Sequence, residues 1–186
     1  RLLLCPLPED ARQLAGAGLK RWQTLAAELT NLPGRALVDL TELLLPALSA
    51  GAGRVVFVTS GGMYTQALPV GDPDFEGGEY TGAVAYARSK RGQVELLPVL
   101  SDRWAARGVS VHATHPGWAG TPGLDSSLPR FAAALRPVLR SDAAGTDTTS
   151  WVVAAEPAPA SGRLWHDRRD RPTSVLGRTR PTEDER

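Results

Sequence analysis

Residues 54–59 read Arg-Val-Val-Phe-Val-Thr, and this stretch decides the class of fold. Glycines flank it on both sides, at Gly53 and Gly61. A continuous β-branched and aromatic run between glycines is typical of a strand that is buried on both faces, as in a parallel sheet. A second run, Val-Ser-Val-His-Ala-Thr, occupies residues 109–114 directly after Gly108. The two runs predict two strands of one parallel sheet.

Helical periodicity precedes and separates the two predicted strands. Residues 36–49 form a helical pattern that Pro46 should end or kink, and residues 82–106 form a longer one that Pro98 should interrupt or kink. A strand, a helix and a strand in succession are the signature of a right-handed crossover unit. The expected fold is α/β: a partial Rossmann-type, doubly wound parallel sheet in a three-layer αβα arrangement.

Weaker patterns lie on either side of this unit. The expected elements are a strand or strand stub at 2–5, a helix at 10–29, a loop at 61–82, helices at 128–139 and 141–155, and a last strand at 163–166. From Asp167 onward only Val175 and Leu176 are apolar, which predicts a segment that is disordered or draped on the surface. We expect one truncated Rossmann-like domain over 1–166 and a polar carboxy-terminal tail over 167–186.

The composition is that of an ordinary globular protein. Of 186 residues, 42% are hydrophobic, and the formal net charge is +1 at pH 7. This balance argues against nucleic acid as a partner, and aspartates interleave with the arginines of residues 167–171. No apolar run approaches the roughly 18 residues of a membrane span. The single cysteine, Cys5, is consistent with a reducing compartment, so a cytoplasmic location is expected. Because the chain begins with Arg1, we expect it to be incomplete.

Tyr86 and Lys90 stand four residues apart on the predicted helix 82–106, so their side chains share one face. A lysine beside a tyrosine favours the phenolate and lowers the pKa of the tyrosine toward the range useful for proton transfer. The spacing also arises often by chance, and alone it says little about function.

Two further features follow the predicted strands at their carboxyl ends, where open parallel sheets bind ligands. Ser60 comes directly after the first strand and before Gly61 and Gly62, which would let a substrate approach closely. Residues 115–121, His-Pro-Gly-Trp-Ala-Gly-Thr, follow the second strand. Each feature could be an ordinary turn, but three features directed at one edge of one sheet seldom coincide by chance.

The order of a serine, a Tyr-x-x-x-Lys motif and a Pro-Gly-x-x-x-Thr motif resembles the catalytic half of the short-chain dehydrogenase/reductase superfamily. Over about residues 37–170 the sequence more closely resembles the member-twelve branch of that superfamily. The strings that carry this resemblance are Val-Thr-Ser-Gly-Gly-Met at 58–63, Tyr-Ala-x-x-Lys-Arg at 86–91, Trp-Ala at 104–105, His-Pro-Gly-Trp-Ala at 115–119 with Thr-Pro-Gly at 121–123, and Ser-Gly-Arg at 161–163.

The resemblance implies NAD(P)-dependent oxidoreduction of a small-molecule carbonyl or alcohol. It makes Tyr86 the general acid or base and has Ser60 hold the substrate oxygen beside the nicotinamide. It has Lys90 bind the nicotinamide ribose and depress the pKa of Tyr86. The cofactor contacts that it implies are Tyr86, Lys90, Pro116, Gly117, Trp118 and Thr121.

The sequence departs from the family pattern on its amino-terminal side. Before Asn31 there is no glycine-rich fingerprint for the pyrophosphate and no residue that selects NAD or NADP. The Asn-Asn-Ala-Gly motif is absent too. The catalytic asparagine of the family would be Asn31 if a short insertion precedes residues 41–46, whereas without an insertion Pro33 takes that place.

A function of another class stays open: a non-catalytic fragment that keeps the scaffold and acts as a binding or interaction protein. A sheet that lacks its first strands exposes an edge and an apolar face, which invite a partner, a second copy of the chain among them. The substrate, and the choice between NAD and NADP, cannot be read from the sequence.

Two other chemistries lack support. A serine hydrolase would need a glycine two residues before Ser60, where the sequence has Val58. For metal binding, His112 and His115 lie three apart across a strand end, and His166 is remote in sequence with no cysteine partner. We expect structural roles for the histidines and no metal site.

Overall fold

The two apolar runs form neighbouring parallel strands in the computed structural model, which describes residues 34–182 except 69, 73–75, 78, 120–136 and 138. The elements in chain order are α1 (Gly34–Ala50), β1 (Arg54–Val58), a first 3-10 turn (Gly61–Thr65), α2 (Gly82–Glu95), α3 (Leu97–Ala105), β2 (Ser110–Thr114), α4 (Asp142–Ala154), β3 (Arg163–His166), β4 (Arg169–Arg171) and a second 3-10 turn (Gly177–Thr179). The predictions for 2–5, 10–29, Asn31 and Thr121, and most of that for 128–139, lie outside the described residues.

The sheet has four strands in the order β1-β2-β3-β4. Strands β1 and β2 are parallel, with Arg54 opposite Ser110 and Val58 opposite Thr114. Strand β3 continues the parallel sheet, and β4 turns back antiparallel to β3. The α/β class is confirmed, with one antiparallel strand that the sequence did not predict.

Helices cover both faces of this sheet. Alternate side chains of each strand point to opposite faces, so each face packs its own set of residues. One face of β1 and β2 packs against α1, α2 and α3 in a large buried core. The residues of this core are Leu37, Leu45, Leu48, Val55, Phe57, Met63, Val94, Leu97, Leu100, Trp104, Val109, Val111, Ala113 and Leu164. On the other face Val56 packs with Val152 of α4 and with Trp165. The three-layer αβα arrangement is therefore present.

Local sequence explains most of the helix boundaries. The long predicted helix is interrupted at Leu96, and Pro98 sits in the first turn of α3, where a missing N–H costs nothing. Ser141 caps α4, its hydroxyl accepting the Ala144 N–H at 3.3 Å. By contrast, α1 continues through Pro46 to Ala50, so the proline does not end it. Burial of apolar residues on both sides of Pro46 offsets the single lost hydrogen bond.

A buried arginine ties β1 to the end of α4. The Arg54 guanidinium donates to the carbonyl oxygens of Val152, Val153 and Ala155 at 2.8–3.1 Å. It also pairs with Glu156 at 2.7 Å. A helix leaves its last carbonyls without intrahelical partners, and a cation is favourable at that end. Arg54 thus holds α4 against the sheet.

The polar segment after Asp167 lies on the protein. It begins with β4 and continues across α2 and the first 3-10 turn. The Tyr64 hydroxyl donates to the Pro172 carbonyl at 3.0 Å, and Arg91 of α2 donates to the carbonyl of Thr179 at 2.7 Å. No helix in the described part of the chain is both long and apolar enough to cross a membrane.

Candidate active site

The carboxyl ends of β1, β2 and β3 meet at one edge of the sheet. Beyond the last paired residues, the Thr59 N–H donates to the Thr114 carbonyl at 2.8 Å, and the His115 N–H donates to the Trp165 carbonyl at 3.2 Å. The residues that follow the strands are therefore held close together. This is the edge at which open parallel sheets bind ligands.

Lys90 lies beneath this edge and is almost fully buried, with 6% of its surface exposed. Its Nζ donates to the Val58 carbonyl at 3.1 Å, and the Thr59 hydroxyl donates to the Lys90 carbonyl at 3.0 Å. These two bonds join α2 to the end of β1. Burial lowers the pKa of the Lys90 ammonium.

Tyr86 lies one helical turn before Lys90 and is 51% exposed. The Lys90 Nζ is 5.6 Å from the centroid of the Tyr86 ring, within the range of a cation–π contact. The four-residue spacing thus brings the phenol and the ammonium together on one face of α2, with the amine buried and the phenol at the surface.

Ser60 follows β1 and is half-buried. It caps the first 3-10 turn, where its Oγ accepts the Gly62 N–H at 3.3 Å. That turn packs on α2: a Cβ placed on Gly62 would stand 3.6 Å from the Ser60 Oγ and 3.9 Å from the Cβ of Ala87, the residue after Tyr86. The turn that Ser60 caps therefore packs on α2, the helix that carries Tyr86 and Lys90.

The segment Pro116-Gly117-Trp118 follows β2 at the same edge. Gly117 has a φ of +75°, a conformation that side chains rarely adopt. A Cβ at this position would also stand 2.9 Å from the Cδ of Arg140 and 3.1 Å from the Cε1 of His166. Trp118 is 45% exposed. Gly117 is thus required both by the turn and by its neighbours.

Sequence reasoning missed a polar cluster beside this turn. The rings of His115 and His166 stack with centroids 3.9 Å apart and planes 12° from parallel, although the two residues are remote in sequence. Burial is the main cause that lowers the pKa of His115 to about 4, and the neighbouring His166 acts in the same direction. Arg140 lies against the pair, with Nη1 at 3.4 Å from the His166 Nε2, and pairs with Asp167 at 2.6 Å.

One sequence signal could have indicated the cluster. His166 ends the third strand and Asp167 follows it, as Ser60 comes shortly after the first strand and His115 directly after the second, so all of them lie at the same end of the sheet. Among the described residues, no group of three or more His, Cys, Asp or Glu side chains is arranged to hold a metal ion.

Known proteins resemble this chain in sequence. It is 42% identical over 155 residues to dehydrogenase/reductase SDR family member 12 of Bos taurus, an alignment that covers 79% of this chain and 48% of that protein. The Homo sapiens protein of the same description is 41% identical over 135 residues, covering 70% of this chain and 41% of that protein. A putative daunorubicin C-13 ketoreductase of a Streptomyces species is 33% identical over 128 residues, covering 66% of this chain and 43% of that protein. No protein-family model matches the sequence.

A solved structure shares the fold. It is a short chain dehydrogenase from Salmonella enterica serovar Typhi, with a TM-score of 0.50 and 20% identity, matched over 89% of this chain and 71% of that chain. The chain spans about half the length of the curated relatives it matches.

Proposed function

We propose that this chain, which belongs to the short-chain dehydrogenase/reductase superfamily, carries the catalytic residues of an NAD(P)-dependent oxidoreductase that reduces a carbonyl or oxidises an alcohol. The superfamily membership rests on the sequence similarity to the two SDR family member 12 proteins and on the shared fold. The reaction and the residues that perform it are the proposal.

The observation that carries this proposal is the position of Lys90. An ammonium that is almost fully buried is costly, because burial disfavours the charge. The only hydrogen bond that the Nζ donates within the described chain goes to the Val58 carbonyl, at the edge where ligands bind. Two of its three protons are then left for a ribose hydroxyl and for the neighbouring phenol. A lysine with only a structural role would be more stable with its ammonium exposed to solvent.

Ser60 and Tyr86 supply the groups for the substrate oxygen. Since the Ser60 oxygen already accepts the Gly62 N–H, its own proton is left to donate to a carbonyl oxygen. In the reducing direction Tyr86 transfers its phenolic proton to that oxygen, with the Lys90 ammonium 5.6 Å from the centroid of its ring. In the oxidising direction Tyr86 accepts the proton. The half-exposed Tyr86 side chain leaves a substrate room to reach it.

The residues present suit the nicotinamide half of a dinucleotide. Gly61 is open, since a Cβ there would meet nothing within 4 Å, and the residues 116–118 flank the same edge. Lys90 would hold the ribose, and the backbone of 116–118, with Thr121, would meet the nicotinamide amide. When bound, NAD(P)H supplies the hydride. The glycine-rich fingerprint for the pyrophosphate does not occur in this sequence, so no residue here is assigned to that group.

The test replaces Tyr86 by phenylalanine in the full-length protein that contains this sequence. Tyr86→Phe removes the transferable proton and keeps the ring, so carbonyl reduction over a panel of aldehydes and ketones should fall by about 100-fold or more. Tyr80→Phe is the matched control, since it makes the same change at a side chain that is 69% exposed, and it should retain the rate.

Two results would contradict the proposal. One is near-normal turnover by Tyr86→Phe. The other is a full-length protein that neither binds NAD(P)H nor turns over any member of the panel, which would favour a binding or interaction protein built on the same scaffold.

A further inference from the structure

The turn between β3 and β4 has residues that are unusual for its backbone. Asp167 and Arg168, its two central residues, have φ values of +52° and +56°. Two-residue hairpin turns of this kind prefer Asn and Gly, because most side chains are strained there. Such strained positions cluster at functional sites, where surrounding contacts hold them. The contacts of this turn therefore indicate what it does.

Each strained residue forms an ion pair with a different element. Arg168 pairs with Asp147 of α4 through two nitrogens and two oxygens, and its N–H donates to the Thr148 hydroxyl at 3.3 Å. Asp167 pairs with Arg140 at 2.6 Å. The first contact anchors the hairpin to the body of the protein, and the second lets it hold Arg140.

Arg140 contacts the turn that follows β2 through both its backbone and its side chain. Its backbone N–H donates to the Trp118 carbonyl at 2.8 Å. Its side chain passes so close to Gly117 that a Cβ there would stand 2.9 Å from the Arg140 Cδ and would require the arginine to shift. Its Nη1 donates to the His166 Nε2 at 3.4 Å.

His166 supports the same turn from below. Its Nδ1 donates to the His115 carbonyl at 2.9 Å, since a carbonyl oxygen can only accept. Its Nε2 lies 3.4 Å from both the Arg140 Nη1 and the Asp167 Oδ2. The His115 ring stacked on it accepts the Gly117 N–H at its Nδ1, at 3.3 Å. A neutral His115 is needed for that bond, and its lowered pKa keeps it neutral. The turn 115–118 is thus fixed at His115, Gly117 and Trp118.

We propose that Asp167, Arg140 and His166 are positioning residues that fix the turn 115–118 for contact with the nicotinamide. This inference rests on the proposed function, in which the turn 115–118 contacts the nicotinamide. Arg140 and His166 contact the turn, Asp167 contacts both of them, and none of the three is assigned to the reacting atoms.

The first test measures the turn itself, without any ligand. Asp167→Asn removes the charge and keeps a residue that tolerates positive φ, so the hairpin can persist. Asp170→Asn is the matched control: it lies on β4, is exposed to the same degree, 49% against 48%, and pairs with Arg163. Amide hydrogen exchange at Gly117 and Arg140 should rise about threefold in Asp167→Asn and stay unchanged in Asp170→Asn. Exchange at Val55 and Val111 in the sheet should not change in either variant.

The second test measures the consequence in the full-length protein. Asp167→Asn should raise the KM for NAD(P)H about threefold with little change in kcat, whereas Asp170→Asn should change neither. Arg140→Gln should act in the same direction. Combining it with Asp167→Asn should add less than the sum, because both remove one contact chain.

The outcomes separate the two proposals. Equal exchange at Gly117 in Asp167→Asn and Asp170→Asn would overturn the positioning role, as would faster exchange with an unchanged KM for the cofactor. If the wild-type full-length protein neither binds NAD(P)H nor has activity, the proposed function fails. The exchange comparison then decides alone whether these residues fix the turn.

Discussion

Two buried histidines make the stability of the protein depend on pH. Burial, with a contribution from the charge of Arg54, lowers the pKa of His112 to about 4, and His115 also has a pKa of about 4. Both lie below the unfolded value of about 6.5, so between pH 6.5 and 4 the unfolded chain binds more protons than the folded one. The free energy of unfolding should therefore fall as the pH drops through this window, by up to about 3 kcal/mol for each histidine.

His112→Gln tests this at a position outside the candidate site. The variant removes one titrating group, so its free energy of unfolding should decrease less between pH 7 and pH 4 than that of the wild type. Urea unfolding at several pH values measures both slopes. The comparison concerns the slopes, since the glutamine also alters packing; equal slopes would show that His112 does not titrate in this way.

Among the elements, helix α2 links the candidate site to the carboxy-terminal segment. It carries Tyr86 and Lys90 toward the sheet edge, and its next residue, Arg91, is fully buried and directed to the carboxy-terminal segment. The Arg91 guanidinium donates to the carbonyl of Thr173, the hydroxyl of Ser174 and the carbonyl of Thr179, and it pairs with Glu95. One helix thus holds the candidate site on one side and the polar segment on the other.

Removing that segment should destabilise the protein through Arg91. A chain that ends at residue 171 leaves a buried guanidinium with most of its partners gone, which should cost about 3 kcal/mol or more. A chain that ends at residue 182 keeps the contacts and is the control. Thermal or urea unfolding measures the difference.

A second substitution identifies the cause. In the chain that ends at residue 171, Arg91→Met removes the buried charge and should restore part of the lost stability. If it restores none, the segment stabilises the protein by packing rather than by satisfying Arg91.

The sequence was sufficient for elements whose pattern is local. Strands β1 and β2, the interruption before Pro98 and the cap at Ser141 each follow from a few neighbouring residues. Strand β4 could not be predicted, because Arg169-Asp170-Arg171 has no apolar alternation and forms only by pairing with β3 across a strained turn. The stacking of His115 on His166 is likewise a product of the sheet register, which brings distant residues together.

The candidate site divides in the same way. The placement of Ser60 after a strand, and of Tyr86 and Lys90 on one face of a helix, could be predicted because such spacing is readable in the sequence. Their chemical roles, and those of the residues 116–118, remain predictions. Asn31 and Thr121 lie outside the described residues, so their placement is untested.

At the scale of the molecule, β1 has the sequence of an interior strand but the position of an edge strand. Its residues are apolar on both faces, and in the described part of the chain only β2 pairs with it. Interior strands of parallel sheets have neighbours on both sides, and an unpaired apolar edge attracts another strand. We expect a strand from outside the described residues to pair with β1.

The residues that are present and absent predict how tightly this chain binds a dinucleotide. The residues proposed for the nicotinamide half are present, whereas the helix amides that usually cradle the pyrophosphate would come from a glycine-rich segment that the sequence does not contain. The chain of 186 residues should therefore bind NADPH weakly or not at all. If the nicotinamide half provides whatever binding remains, the affinity for reduced nicotinamide mononucleotide should lie within about threefold of the affinity for NADPH. The reason is that removing the adenosine phosphate removes few contacts. Fluorescence titration of both compounds against the purified chain measures this. Micromolar affinity for NADPH with much weaker binding of the mononucleotide would mean that residues outside the candidate site grip the phosphates, and the assignment of the cofactor contacts to the sheet edge alone would be wrong.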